Sequence, residues 1–151
     1  MCKLRKMSNC PKCEQRGRKI SSRTLSSHVV PDRLEAIEER EYWSMCLSPV
    51  CSAVYFREAE VVSRSQVRML PFHKNEAPDR LVCFCFDHRA NEIHEEVLAQ
   101  GQSGVQAEIK AACRSGRDDC ERKNPQGRCC LGNVGLVIKD ALSHIPLKSL
   151  S

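Results

Sequence analysis

The hydrophobic pattern changes character along the chain. From Ala90 onward it keeps helical spacing. Ala90, Ile93, Val97 and Leu98 form one stripe, and Val105, Ile109 and Ala112 a second. Leu131, Val134, Ile138, Ala141 and Ile145 form a third. Asp87 is the expected N-cap of the first helix and Gly101 its stop; the second ends near Gly116 and the third at Pro146. Asn124-Pro125-Gln126-Gly127 reads as a turn. Before residue 80 the pattern is mixed. Pro31 and Asp32 open a helical stretch with Leu34, Ile37 and Glu41-Tyr42 on one face. Ser52–Arg57 and Ser65–Phe72 are predicted strands, the second from the alternation of Val67, Met69 and Pro71 with Gln66, Arg68 and Leu70. Asn75–Asp79 is a turn signal, and Leu81–Phe86 reads as an extended segment or the approach to a loop.

Composition shows what this pattern lacks. The 151 residues suit roughly one domain, but Phe 4, Tyr 2 and Trp 1 are all the aromatics available. A core so thin in large side chains calls for covalent or metal staples. The chain has 11 cysteines to supply them. The longest apolar run, Leu81–Phe86, falls far short of the ~20 residues of a bilayer span, so no membrane span is expected. Lys3, Arg5 and Lys6 are followed by Ser8-Asn9-Cys10-Pro11-Lys12, where a signal peptide would be apolar. A cytoplasmic chain with reduced thiols is therefore expected, in which paired cysteines hold metal rather than disulfides. The net charge of +5 is scattered among acidic residues, and nucleic-acid binding is not expected.

The cysteines fall into two constellations. Cys10-Pro11-Lys12-Cys13 is a knuckle whose backbone amides can donate to sulfur, and Cys46-x4-Cys51 follows after 32 intervening residues. Four thiolates suit tetrahedral zinc and leave no open coordination position, so this site is expected to be structural. The second set begins with Cys83-Phe84-Cys85, shielded by Leu81, Val82, Phe84 and Phe86. Cys120 follows, then the adjacent pair Cys129 and Cys130. A [2Fe–2S] cluster takes two thiolates on each iron, but this spacing is neither the plant-type nor the bacterial ferredoxin run, and a Rieske centre, which needs two histidines, is not expected because only His88 follows one of these cysteines closely. Cys113 lies outside both sets and is expected to be a small buried hydrophobe; Cys2 is read as a terminal thiol. His28, His73, His88, His94 and His144 show no ligand spacing and are read as surface or capping residues.

The motifs Cys-Pro-x-Cys, Cys-x4-Cys with Val-Tyr-Phe just after, Val-Cys-Phe-Cys-Phe and Cys-x3-Asn-Pro-x-Gly-x-Cys-Cys-Leu-Gly occur in one order from Cys10 to Val134. In that order the chain resembles the N-terminal domain of the CopZ copper-chaperone family, whose cluster part is similar to the bacterioferritin-associated ferredoxin module. The family's C-terminal copper domain, with its Met-x-Cys-x-x-Cys loop, has no counterpart in these residues. The resemblance implies one Zn2+ on Cys10, Cys13, Cys46 and Cys51. It also implies one [2Fe–2S] cluster on Cys83, Cys85, Cys120 and one of Cys129 and Cys130. Adjacent side chains of an extended chain point opposite ways, so one of the two ligates, and Cys130 is favoured.

The expected fold class is α+β, a small metal-stapled domain. A zinc-ribbon-like strand lobe spans 8–80 and a helical [2Fe–2S]-binding lobe spans 81–151, together one compact unit. The expected function is a one-electron carrier or redox partner in copper handling, with a redox protein or a copper-handling protein as partner. There is no phosphate-cradling loop, Ser-His-Asp set or paired-carboxylate motif, so electron transfer or metal binding is expected rather than an enzyme with a substrate pocket. Two rivals remain open. One is a two-zinc module recognising protein or nucleic acid through Lys, Arg and Tyr42-Trp43; the other is a cluster-based redox sensor.

Overall fold

A computed structural model describes residues 9–35, 37 and 42–145. The chain divides into two compact units, Met1–Asn75 with Glu121–Gly127, and Glu76–Cys120 with Arg128–Ser151. Both helices and antiparallel strands are present, so the fold is α+β.

The first unit is built on a four-stranded antiparallel meander: β1 (Arg18–Ile20), β2 (Trp43–Met45), β3 (Ala53–Arg57) and β4 (Glu60–Ser63), in that order across the sheet. β3 is central and buried on both faces from Ala53 to Phe56. One cluster contains Val54 and Tyr55 with Ile20, Leu25, Val29, Trp43, Met45 and Val62. The other contains Ala53 and Phe56 with Cys10 and Cys46, and Cys13, Cys51 and Val61 pack against it. Two short helices, α1 (Ser22–His28) and α2 (Pro31–Leu34), lead from β1 towards β2. Ser21 caps α1, its side chain accepting from the Thr24 N–H at 3.2 Å. Pro31 stands in the first turn of α2, where its missing N–H costs nothing. The expected continuation of this helix falls on residues 36 and 38–41, outside the described residues.

The predicted strand over Ser65–Phe72 does not form. Arg64–Gln66 is a 3-10 turn closed by a capping box between Ser63 and Gln66. Val67 makes only an isolated bridge to Val29, and Phe72–Lys74 is a second 3-10 turn. Local capping and Pro71 outcompete an alternation that lacks a full-length partner strand.

The segment Glu121–Gly127 belongs to this first unit. Buried Tyr55 donates to the Pro125 carbonyl at 2.6 Å, and Arg18 Nη2 to that of Gln126 at 3.2 Å. Thr24 donates its hydroxyl to the Glu121 carbonyl. The turn is held by buried Asn124, whose Oδ1 accepts from the Gln126 N–H at 3.0 Å.

In the second unit β5 (Leu81–Cys83) pairs with β6 (His88–Arg89) as a short hairpin. Asp87 sits in the tight turn between them with φ 59, so it is not the N-cap of the following helix. That role falls to Arg89, without a side-chain cap. α3 (Ala90–Gln100) ends at Gly101, whose φ of 77 supplies the left-handed cap. α4 (Val105–Arg114) and α6 (Leu131–Ser143) complete this unit, and α3 packs chiefly on α6; α5 (Cys120–Lys123) has only its first residue here, the rest belonging to the first unit. Ile93, Val97, Ile109, Val134, Val137 and Ala141 are buried, so the three apolar stripes do mark three helices. Pro146 lies outside the described residues.

Candidate metal centres

The first centre lies where the two loops of the strand unit converge. Cys10 and Cys13 occupy a tight turn between the bridged residues Asn9 and Arg16. Its chain reversal is closed by Cys10 N–H to the Gln15 carbonyl at 2.9 Å and Glu14 N–H to the Cys10 carbonyl at 2.8 Å. Cys46 follows β2 and Cys51 precedes β3, with the Cys46 N–H bonded to the Val54 carbonyl at 2.8 Å. The four sulfurs all lie within 4.8 Å of one another. Cys10 and Cys51 are 3.9 Å apart, Cys13 and Cys46 3.6 Å. Ligands about 2.3 Å from a tetrahedral zinc ion stand roughly 3.8 Å apart, so the nest fits Zn2+ without rearrangement.

Cys10 and Cys46 are buried, Cys13 and Cys51 half-buried. Burial pushes the Cys46 thiol up to about 12, with the Ser48 amide and the Lys74 charge pulling weakly the other way. Burial raises Cys10 as well, opposed by the amides of Cys13 and Lys12. For Cys51, burial is outweighed by the Ala53 amide and the three other thiols, and its value falls. These amides are the N–H···S donors that a knuckle offers a metal-bound thiolate.

Sequence reasoning missed the cationic frame around this nest. Lys74 is 1% exposed, yet its Nζ donates to the carbonyls of Ser48 at 2.6 Å and Cys51 at 3.2 Å. Arg64 donates to the carbonyls of Cys51, Lys74 and Pro49 at 3.3, 2.8 and 2.7 Å. His73 Nδ1 accepts from the Gln126 amide at 3.0 Å, which puts its proton on Nε2, 2.9 Å from the Cys46 carbonyl. A zinc ion with four thiolates carries two net negative charges, and the buried Lys74 lies close enough to offset part of that charge. The signal for these residues is weak: a lysine and a histidine adjacent in sequence, with nothing in their spacing to tie them to cysteines more than twenty residues away. Trp43 is 1% exposed within the core, so it has no face for recognition.

The second cysteine set lies in the second unit and is arranged differently. Cys83 ends β5 and is buried; Cys85 follows in the turn; Cys120 opens α5. Cys85 and Cys120 sulfurs are 3.4 Å apart, and the Asp119 N–H donates to the Cys85 sulfur at 3.3 Å. The Cys83 sulfur is bonded to Cys130, which lowers Cys83 to about 6 and raises Cys130. Amides of Phe86 and Cys85 also donate to the Cys83 sulfur. Burial, then the bond to Cys85, raises Cys120. Cys129 is exposed, whereas Cys130 is 2% exposed at the N-cap of α6. The backbone there is helical rather than extended, so the difference comes from the start of α6 and not from strand alternation. Cys113 is half-buried on α4. His28, read as a surface or capping residue, is the last residue of α1 and is only 4% exposed; that helix was not foreseen.

No helix among the described residues is long and apolar enough to cross a membrane. A family described as a zinc binding domain, that of CopZ, matches residues 7–68. The copper chaperone CopZ of Archaeoglobus fulgidus is 25% identical over 150 residues, covering 94% of this chain and 70% of that protein. The X-ray structure of the Archaeoglobus fulgidus CopZ N-terminal domain superposes with a TM-score of 0.68 at 22% identity, covering 93% of this chain and 100% of the other. Matched segment, relative and fold converge with the four-thiol nest: residues 7–68 match the CopZ zinc-binding domain family, the chain has the fold of a CopZ N-terminal domain, and it carries a four-cysteine site suited to Zn2+.

Proposed function

We propose that this chain is an iron–sulfur and zinc protein that passes single electrons to a partner in copper handling. The observation that carries the reading is the two-by-two arrangement of the second cysteine set: Cys85 with Cys120 at 3.4 Å, and Cys83 bonded to Cys130. A [2Fe–2S] cluster takes one such pair on each iron, whereas zinc gathers four thiols into a single nest of the kind formed by Cys10, Cys13, Cys46 and Cys51. Cys83, Cys85, Cys120 and Cys130 would be its ligands, and Cys129 the solvent-facing spare. When bound, such a cluster supplies one-electron chemistry. The protein's own part is to exclude water around Cys83 and Cys130 and to leave Cys85 and Cys120 half-buried towards a redox partner. The Asp119, Cys85 and Phe86 amides donate to sulfur and favour the more negative, reduced state.

Copper enters through the relative, which is a copper chaperone. One electron converts Cu(II) to Cu(I), so a one-electron donor, recharged by a reductase or another carrier protein, suits that setting. Metal and sulfide analysis after anaerobic purification tests the first step. About one zinc, two irons and two acid-labile sulfides per chain are expected, with a red-brown colour. Two zinc ions and no sulfide would reject the cluster and leave a two-zinc module. For the second step, the protein is reduced with dithionite, freed of the excess reductant, and mixed with Cu(II) and a Cu(I)-specific chelator. Recovery of the oxidised cluster's visible bands in step with Cu(I) capture is expected; no electron transfer to Cu(II) would remove the copper role.

A further inference from the structure

α3 and α6 bring together three side chains from outside both cysteine sets: His94, Asp140 and His144. One donor atom of each, a ring nitrogen or a carboxylate oxygen, lies within 4.8 Å of the other two. His94 Nε2 stands 4.0 Å from Asp140 Oδ2. The two imidazole rings meet edge to face, their centroids 5.4 Å apart and their planes at 60°. Asp140 lies in the last turn of α6 and His144 caps its end, four residues on, so both side chains share one face. His94 reaches that face from α3, the helix packed on α6.

We propose that His94, Asp140 and His144 form a solvent-facing site for a divalent transition-metal cation, separate from the cysteine centres. Two imidazoles and a carboxylate suit borderline cations such as Ni2+, Cu2+ and Zn2+, whereas Ca2+ and Mg2+ call for oxygen ligands throughout. Cu2+ stands highest in the affinity order for such donors. The hydrogen bonding of His144 supports the assignment independently. Its Nδ1 lies 2.8 Å from the Asp140 backbone carbonyl, which can only accept. The ring proton therefore sits on Nδ1 and the Nε2 lone pair is free, the arrangement in which ligating histidines are usually held. The side chains of His94 and Asp140 are 31% and 67% exposed, so each rotates to meet an ion at little packing cost. Ligands about 2.0–2.2 Å from a metal stand roughly 3–4 Å apart, close to the spacing already present. Three protein ligands leave positions for water, so the cation exchanges rather than acting as a staple.

The test uses the full chain with its cysteine centres loaded as purified, and Ni2+ as the probe because it seeks imidazole without oxidising free thiols. Calorimetric titration should show one saturable Ni2+ per chain. Affinity should fall at least tenfold in His94→Ala and in His144→Ala, and several-fold in Asp140→Asn. Glu95→Gln, which removes a neighbouring exposed carboxylate, should bind as the wild type does. A second readout needs no variant: the side-chain imidazole NMR signals of His94 and His144 should broaden before those of His28 and His73. Either of two outcomes would overturn the proposal: absence of saturable binding, or binding indifferent to both histidine substitutions. The trio would then be an ordinary ion pair between helices with an imidazole beside it.

Discussion

At the scale of single residues, Cys129 and Cys130 are adjacent in sequence and opposite in environment. Cys130 is buried against Cys83 at the start of α6, and Cys129 is exposed. Cys130→Ser should therefore bleach or shift the visible bands of the proposed cluster and alter its reduced-state EPR spectrum, since serine oxygen is a poorer donor than thiolate. Cys129→Ser should leave both nearly unchanged, and the reverse ranking would transfer the ligand to Cys129. His28 makes a second prediction. Both its ring nitrogens are buried, and neither makes a well-aligned hydrogen bond. Burial lowers its pKa below the usual histidine value, the Arg122 backbone opposing this and the Arg68 charge adding to it. In that range the unfolded chain binds the extra proton, so the contribution of neutral His28 is complete above about pH 6.5 and is lost as pH falls through the folded value. His28→Gln cannot take up that proton. Its urea midpoint should fall less than that of the wild type between pH 7.5 and 5; parallel curves would mean that His28 titrates normally.

At the scale of elements, the close approach of the strands beside the zinc nest depends on Gly17. A Cβ there would lie 2.4 Å from the Phe56 ring and 2.9 Å from the Met45 carbonyl. Phe56 is fully buried against Cys10, Cys46 and Ala53, and the Met45 carbonyl belongs to β2, so neither yields easily. Gly17→Ala should cost about 1–3 kcal/mol, the usual penalty of overpacking. Thermal melting of the zinc-loaded chain checks this, and Phe56→Leu in the same background should recover part of the loss. Additive losses in the double variant would locate the strain elsewhere.

At the scale of the molecule, the strand unit rests on its sheet, one small apolar cluster poor in aromatics and the four-cysteine nest. Its largest fully buried side chains are Trp43, Tyr55, Phe56, Lys74 and Met45. Structural zinc supplies on the order of 10–16 kcal/mol of apparent binding energy, more than the whole stability of many domains. Removal of zinc by a strong chelator, or Cys13→Ser, should therefore abolish the cooperative unfolding transition of this unit and the slow exchange of the β3 amides. Cys113→Ser, on α4 in the other unit, should leave both intact. Equal behaviour of the two variants would mean that the nest is not the staple.

Much of this was legible in the chain itself, for identifiable reasons. Apolar stripes at helical spacing marked α3, α4 and α6, because each is a surface helix with one buried face. Ser52–Arg57 contains β3, and Gly101 ends α3, since both depend on local propensity and backbone freedom. The grouping of Cys10, Cys13, Cys46 and Cys51 was readable because two close thiol pairs on loop-like segments match the ligand spacing of a tetrahedral metal site. Only the tertiary structure decided the rest. The Ser65–Phe72 alternation forms no strand, because a strand needs a partner edge and a capping box offered a local alternative. The short α1 has no long stripe to reveal it, and so His28 was misread. Lys74, Arg64 and His73 frame the nest through contacts to backbone carbonyls, which no side-chain pattern encodes. Likewise His94 meets Asp140 and His144 only because α3 packs against α6, a juxtaposition set by the shape of their buried faces and by nothing in the spacing between the residues.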